Sequence, residues 1–137
     1  MSDRFFKGSC LFIDSETYGD WRIDGKEYIL YNHDIFHLLT ATEDVSHDEI
    51  AWKGMHFPRN LNTIDCACCG GVIYEQCDIS YPGIICKDAP NPYNKKYRMI
   101  DGKHRLSKMK SMNITKSPYY VIDYAIIKPL LKQLQRH

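Results

Sequence analysis

The stretch YRMIDGKHRLSKMKSMNITKSPYYVI, residues 97–122, decides the fold. KYRMID reads as a strand, and Gly102 interrupts it. GKHRLSKMKSMN then has the composition and period of a helix, with Leu106, Met109 and Met112 on the face toward the core. SPYYVID, rich in aromatic and β-branched residues, predicts another strand. Upstream, YPGIICKD predicts an apolar strand after a turn, and APNPYNKK a loop built on Pro and Asn. Downstream, YAIIKPLLKQLQRH predicts a terminal helix that Asp123 caps and that Pro129 kinks or restarts. Strand, strand, helix, strand, helix is an α+β order around a small mixed sheet.

Toward the amino end the pattern is looser. SCLFID predicts a strand, and YGDWRIDGKEYIL a hairpin, with turn signals at Gly19-Asp20 and Asp24-Gly25. NHDIFHLLTATE predicts a helix capped by Asn32, with Ile35, Leu38 and Leu39 on one face. DEIAW suggests a short strand, residues 53–71 show no period, and GGVIYEQ fits a short strand or a helix end. The expected organisation is an extension over 1–46, a hairpin plus helix, packed on a core domain over 47–137.

With 137 residues, 44% hydrophobic and 26% charged, the chain is long enough for one domain with a real core. No apolar run approaches the roughly 20 residues needed to span a bilayer, and the opening MSDRFFKGSC lacks a signal peptide's apolar block, so a cytoplasmic protein is expected. The net charge of +1 conceals an asymmetry. Residues 1–94 carry 7 Lys+Arg against 15 Asp+Glu, whereas residues 95–137 carry 11 against 2. A cationic tail third suits phosphate in nucleotides or nucleic acid, although the two halves can equally neutralise each other within the fold. Of the six cysteines, Cys66, Cys68 and Cys69 crowd into DCACCGG without the paired spacing of a zinc site. With Cys77 or His56 they could form an irregular zinc site, but buried free thiols are the expected state.

The opening stretch is also the candidate site. A helix beginning at Gly102 leaves its first backbone N–H groups without intrahelical partners, and that end carries partial positive charge. Lys103, His104 and Arg105 add side-chain donors. Gly102 lets an anion approach the backbone, and Arg105 can fork onto two phosphate oxygens. Asp101 is placed for a hydroxyl, a magnesium ion or the helix cap.

DISYPGIICKD followed by YRMIDGKHRLSKMKSMNITKSPYYVI resembles the ParB N-terminal-like and sulfiredoxin superfamily over residues 78–122. There a P-I-I-V strand, a DG-x-HR or GERR turn and helix, and a vPv-v strand follow one another. MHFPRN faintly resembles an NPR element of ParB proteins and makes Arg59 a weaker candidate. The resemblance implies a small α+β fold that binds nucleotide phosphates at this motif: CTP in partition proteins, ATP in sulfiredoxin, ADP or ATP in free-serine kinases. Some relatives are described as nucleases. Sulfiredoxins place the catalytic cysteine directly before the His-Arg pair, where this chain has Lys103, so sulfinic acid reduction is not expected. Free-serine kinases share Asp101, Gly102 and Arg105 but have His where Lys103 stands. Partition proteins carry GERR and further DNA-binding and dimerisation regions, for which no room is expected here.

The resulting expectation is a protein that binds ATP or CTP with Mg2+ and catalyses phosphoryl transfer or NTP hydrolysis. Gly102, Lys103, His104 and Arg105 hold phosphate, with Ser80 and Tyr81 bordering the pocket. Asp101, His104 and Arg105 act in catalysis, and Asp101 with Asp78 holds the metal. Two alternatives come from other classes. LFIDSETYG is similar to the first motif of DEDD exonucleases, in which Asp14 and Glu16 would hold metal ions for DNA cleavage; Asp34 is too close in sequence to serve as a later motif. The chain could instead be a non-enzymatic, phage-like accessory protein binding a host protein or nucleic acid. Trp21, Trp52, Tyr18, Tyr81, Tyr93, Tyr119 and Tyr120 would then offer stacking or interface surfaces, or else fill the core.

Overall fold

The GIICK run has no room for polar alternation, and it forms a strand covered on both faces. This is β5 (Gly83–Lys87), the middle strand of five, in a computed structural model that describes residues 17–52 and 82–134. Around it lie β3 (Thr42–Ser46), β4 (Ile50–Ala51), β6 (Tyr97–Asp101) and β7 (Lys116–Asp123), in the order β3-β7-β5-β6-β4. β5 runs antiparallel to β6 and parallel to β7, with Gly83 opposite Tyr119. A parallel pair needs a crossover, and α1 (Lys103–Ser111) supplies it between β6 and β7. A second sheet, in the order β1-β2-β8, contains β1 (Thr17–Ile23), β2 (Lys26–Tyr31) and β8 (Lys132–Gln133).

The two-residue period of β5 and β7 sorts the interior into two clusters. Ile84, Cys86, Tyr120 and Ile122 meet Trp21, Leu30, Ile35 and Ile127 on one face. Ile85 and Tyr119 meet Leu106, Tyr97, Trp52, Val45 and Ile50 on the other. The fold is therefore α+β, with the five-stranded sheet between the hairpin and the crossover helix. Of the aromatic residues considered as binding surfaces, Trp21, Trp52, Tyr119 and Tyr120 are buried in these clusters; the side chains of Tyr18 and Tyr81 lie outside the described residues.

The predicted helix at 103 forms and is closed by its own sequence. Asn113 adopts a left-handed conformation at φ 61°. Its N–H reaches the Lys110 carbonyl at 3.1 Å, and the Ile114 N–H reaches Met109 at 2.9 Å, the paired bonds of a Schellman stop. Leu106 and Met109 face inward as expected, but Met112, past the last turn, is 52% exposed. The β5–β6 loop is organised by Asn91, whose amide donates to the carbonyls of Ala89 and Lys95 while its oxygen accepts from the Tyr93 and Lys95 N–H groups.

Two predicted helices do not form. Over 32–43 the chain makes 3-10 turns at Asn32–Asp34 and Phe36–Leu38 and then enters β3; Asn32 is buried and caps no α-helix. The apolar residues still do their expected work, with Ile35 in the core and Leu38 and Leu39 packed against it. At the carboxyl end, α2 (Tyr124–Ile127) lasts one turn, and Asp123 stands at its cap position without a side-chain hydrogen bond. Pro129 starts a 3-10 turn over Lys128–Leu130, after which β8 pairs with β2 through Tyr28–Gln133 and Ile29–Lys132. The division expected after residue 46 falls between β3 and β4, two strands of one sheet. The SCLFID and GGVIYEQ segments lie outside the described residues.

Candidate functional site

The site is built where β6 hands over to α1. Gly102 has φ 115°, a conformation that costs an L-residue, and it lies against another glycine. A Cβ on Gly102 would stand 3.1 Å from the Gly83 Cα. A Cβ on Gly83 would stand 2.8 Å from the Asp101 carbonyl and 2.8 Å from Tyr119 Cε1. The first strand residue of β5 thus packs directly on the strand-to-helix junction. The approach itself calls for glycine at position 83, and at position 102 the left-handed backbone adds to the tight contact.

From this junction the helix starts with Lys103, His104 and Arg105 and has no acidic residue in its first turn. The Leu106 N–H closes the first intrahelical bond on the Gly102 carbonyl at 2.9 Å. The N–H groups of residues 103–105 precede that bond, and glycine offers no side chain to cap them. Lys103 is half-buried.

Arg105 takes a different place from the one its sequence position suggested. Its side chain turns inward, 1% exposed, and Nη2 donates to Asp101 Oδ2 at 3.2 Å. Asp101 is itself buried, at 7%. The expected phosphate fork and the expected magnesium ligand are joined to each other, under the helix start rather than in front of it. Among the described residues no three His, Cys, Asp or Glu side chains gather as a metal group, and the one carboxylate at the site already faces a guanidinium. Asp78, the other expected magnesium ligand, lies outside the described residues.

Several proposed site residues cannot be placed. Asp78, Ser80, Tyr81, Arg59, His56, Asp14, Glu16, Cys10, Cys66, Cys68, Cys69 and Cys77 lie outside the described residues, as does the side chain of His104. The remaining cysteine, Cys86, is a buried free thiol whose pKa burial pushes up to about 12, so it stays protonated and unreactive.

The face that carries Arg105 also holds polar groups that were not singled out. His47, buried between β3 and β4, places Nε2 2.7 Å from Ser117 Oγ and Nδ1 3.1 Å from the Ile114 carbonyl. A carbonyl only accepts, so Nδ1 carries a proton, and Nε2 accepts a hydrogen bond from the Ser117 hydroxyl when the ring is neutral. With the His47 N–H bonded to the Thr115 carbonyl, this ring ties the amino end of β7 to β3. Tyr119, two residues on from Ser117 and edge-on to His47 at 6.0 Å, buries a hydroxyl that makes no hydrogen bond. Burial raises the phenol to about 12, against the opposing influence of the neighbouring Ser117 and of the Arg105 charge. An orphaned hydroxyl of this kind costs about 1–3 kcal/mol. A lone histidine in SHDEI gives no sequence signal for such a role, because its partners lie about 70 residues away.

Burial, chiefly, and the charge of Lys110 hold His47 below its usual 6.5, against the opposing pull of the Ile114 carbonyl and Asp48. The folded state thus prefers the neutral ring. Its contribution to stability is complete above about 6.5 and is lost as pH falls through that value toward the lower folded pKa. The melting temperature is expected to drop between pH 7.5 and 5.5, and His47→Gln should flatten that drop. Equal pH slopes for the two proteins would show that His47 does not couple to folding.

Compared with known proteins, the chain matches no family model, no curated protein and no solved structure. Among the described residues, no helix is long and apolar enough to cross a membrane.

Proposed function

We propose that the chain binds the phosphates of ATP or CTP at the amino end of α1, in the manner of the ParB/sulfiredoxin-like proteins that its 78–122 segment resembles. The observation that carries this reading is the first turn itself. A nine-residue helix leaves a left-handed glycine with a basic first turn, no acid in that turn and no capping side chain. The parallel β5–β7 pair with α1 as its crossover is also the strand, helix, strand order that the resemblance implies.

In this reading the N–H groups of residues 103–105 and the Lys103 ammonium meet the phosphate oxygens, and the dipole of α1 adds to their field. Arg105 acts from beneath: fixed by Asp101, it keeps positive charge behind the junction without moving. Magnesium would arrive with the nucleotide, bound chiefly through phosphate oxygens and water, and would neutralise charge there. His104, whose place in the sequence is the first turn of α1, would hold a phosphate oxygen or move a proton during transfer or hydrolysis.

A thermal-shift panel of the four common triphosphates, with and without magnesium, tests binding, and phosphate release tests turnover. Lys103→Ala is expected to weaken ATP or CTP binding about tenfold, roughly 1.4 kcal/mol, with little change in folding. If none of the triphosphates raises the melting temperature, the reading fails. A stable protein partner found alongside that result would favour the accessory-protein alternative, and DNA cleavage lost in Asp14→Asn would favour the nuclease.

A further inference from the structure

One buried histidine fastens the outermost strand of the larger sheet. Among the described residues β3 pairs only with β7, and of its five residues only Val45 is buried. A strand with so little apolar burial belongs to the low-stability end of a fold. His47, the next residue, adds three bonds across the same gap. Its N–H meets the Thr115 carbonyl at 2.8 Å, Nδ1 the Ile114 carbonyl at 3.1 Å, and Nε2 the Ser117 hydroxyl at 2.7 Å. All three partners lie in residues 114–117, where the chain enters β7. On the other side of the His47–Glu49 turn, Ile50 and Ala51 are fully buried and paired with β6, so loosening at His47 is passed to β3 rather than to β4.

The ring is placed to be neutral. It is 2% exposed, and Nδ1 as donor with Nε2 as acceptor uses each nitrogen once. Adding a proton charges a ring that cannot reach water and turns Nε2 into a second donor. The Ser117 hydroxyl can rotate to accept, but it must then place its own proton, and the charge stays buried. Burial outweighs the pull of the Ile114 carbonyl, Lys110 of α1 adds repulsion, and Asp48 in the same turn opposes it. From β7 the ring meets the Ser117 hydroxyl and the edge of Tyr119, while Lys116, paired with Ser46, is exposed.

We infer that His47 is a pH-sensitive latch: when its ring takes up a proton, β3 detaches locally from β7 while the rest of the five-stranded sheet stays folded. The reason is linkage, because a proton that binds the released ring better than the latched one favours release. Detachment uncovers the backbone edge of β7 over residues 116–120, which β3 otherwise covers. The latch is independent of the nucleotide reading, and it differs from a general loss of stability in being confined to one strand.

The test follows hydrogen exchange of the full-length protein at pH 7.5 and 5.5, corrected for the pH dependence of chemical exchange, with β5 and β6 as internal references. Protection of β3 and of residues 114–117 is expected to fall severalfold at pH 5.5 relative to β5 and β6, and His47→Gln is expected to abolish that difference. Unchanged protection in β3 overturns the inference. An equal loss in β3, β5 and β6 also overturns it, since the whole sheet would then be opening. The same fall in a folded His47→Gln protein assigns the effect to another group and overturns it as well. Should His47→Gln not fold, NMR of the wild type decides instead: the loss at β3 has to follow the titration of the His47 ring, and a loss that follows a different group overturns the latch.

Discussion

Asp101→Ala is expected to destabilise the protein by about 3–5 kcal/mol, measured by urea unfolding, because it strips the carboxylate from a guanidinium that cannot reach water. Arg105 is fully buried, and its Nη2 lies 3.2 Å from Asp101 Oδ2. Were the pair on the surface, as a purely ligand-binding pair would be, the same substitution would cost about 1 kcal/mol or less. The loss is large against the roughly 5–15 kcal/mol that holds a domain together, so the variant should be mostly unfolded at modest denaturant concentration. Combining Asp101→Ala with Arg105→Met should recover much of the stability, since the second change removes the stranded charge and keeps an unbranched apolar side chain in its place. A single-variant cost below about 1 kcal/mol, or a double variant no better than the single, would mean the pair does not support the junction. This also makes Arg105→Ala a poor probe of ligand binding, because a loss of affinity would be confounded with loss of fold; Lys103, half-buried in the first turn, is the cleaner position.

That inward-turned arginine marks where the sequence stops being informative. DGKHR announces a strand ending, a glycine and a basic helix start, and all three are found. Which way each cation points is set by the helix period together with a carboxylate four residues earlier, and the choice between a solvent-facing fork and a buried pair depends on what lies beneath the helix. β5, β6, α1 and β7 were legible because their apolar periods agree with their breakers: GIICK after Pro-Gly, YRMID before Gly102, SPYYVID after Asn113. NHDIFHLLTATE misled because i, i+3 and i+4 apolar spacing serves successive 3-10 turns as well as an α-helix, and because Thr42 already begins β3. YAIIKPLLKQLQRH misled because Pro129 did more than kink a helix. It opened a 3-10 turn, and the chain beyond returned to pair with β2, a non-local contact that no local pattern encodes. Tyr119 and Gly83 could not be found from sequence, since their importance lies in a register, Gly83 opposite Tyr119, that exists only once β5 and β7 are side by side.

Trp21→Ala is expected to cost about 3–5 kcal/mol, and its effect decides whether the amino-terminal hairpin is part of the core or an appendage to it. Trp21 is 2% exposed and belongs to one cluster with Leu30, Ile84, Cys86, Tyr120 and Ile122, so its ring joins β1 and β2 to the middle strands of the larger sheet. The contact is reinforced from β6: the Arg98 guanidinium stacks 4.4 Å from the ring, while its Nη1 donates to the Pro90 carbonyl at 2.9 Å. Trp21→Phe, which keeps an aromatic face for Arg98 and part of the volume, should lose distinctly less than alanine. The pairing of β8 with β2 draws the carboxyl-terminal segment into the same unit. Trp21→Ala should therefore lower a single cooperative transition seen alike by circular dichroism and by hydrogen exchange at β5 and β7. If the hairpin instead melted first, with exchange at β5 and β7 unchanged, the hairpin would be an independently lost layer. The site at Gly102, on the opposite face of the sheet, would then owe it nothing.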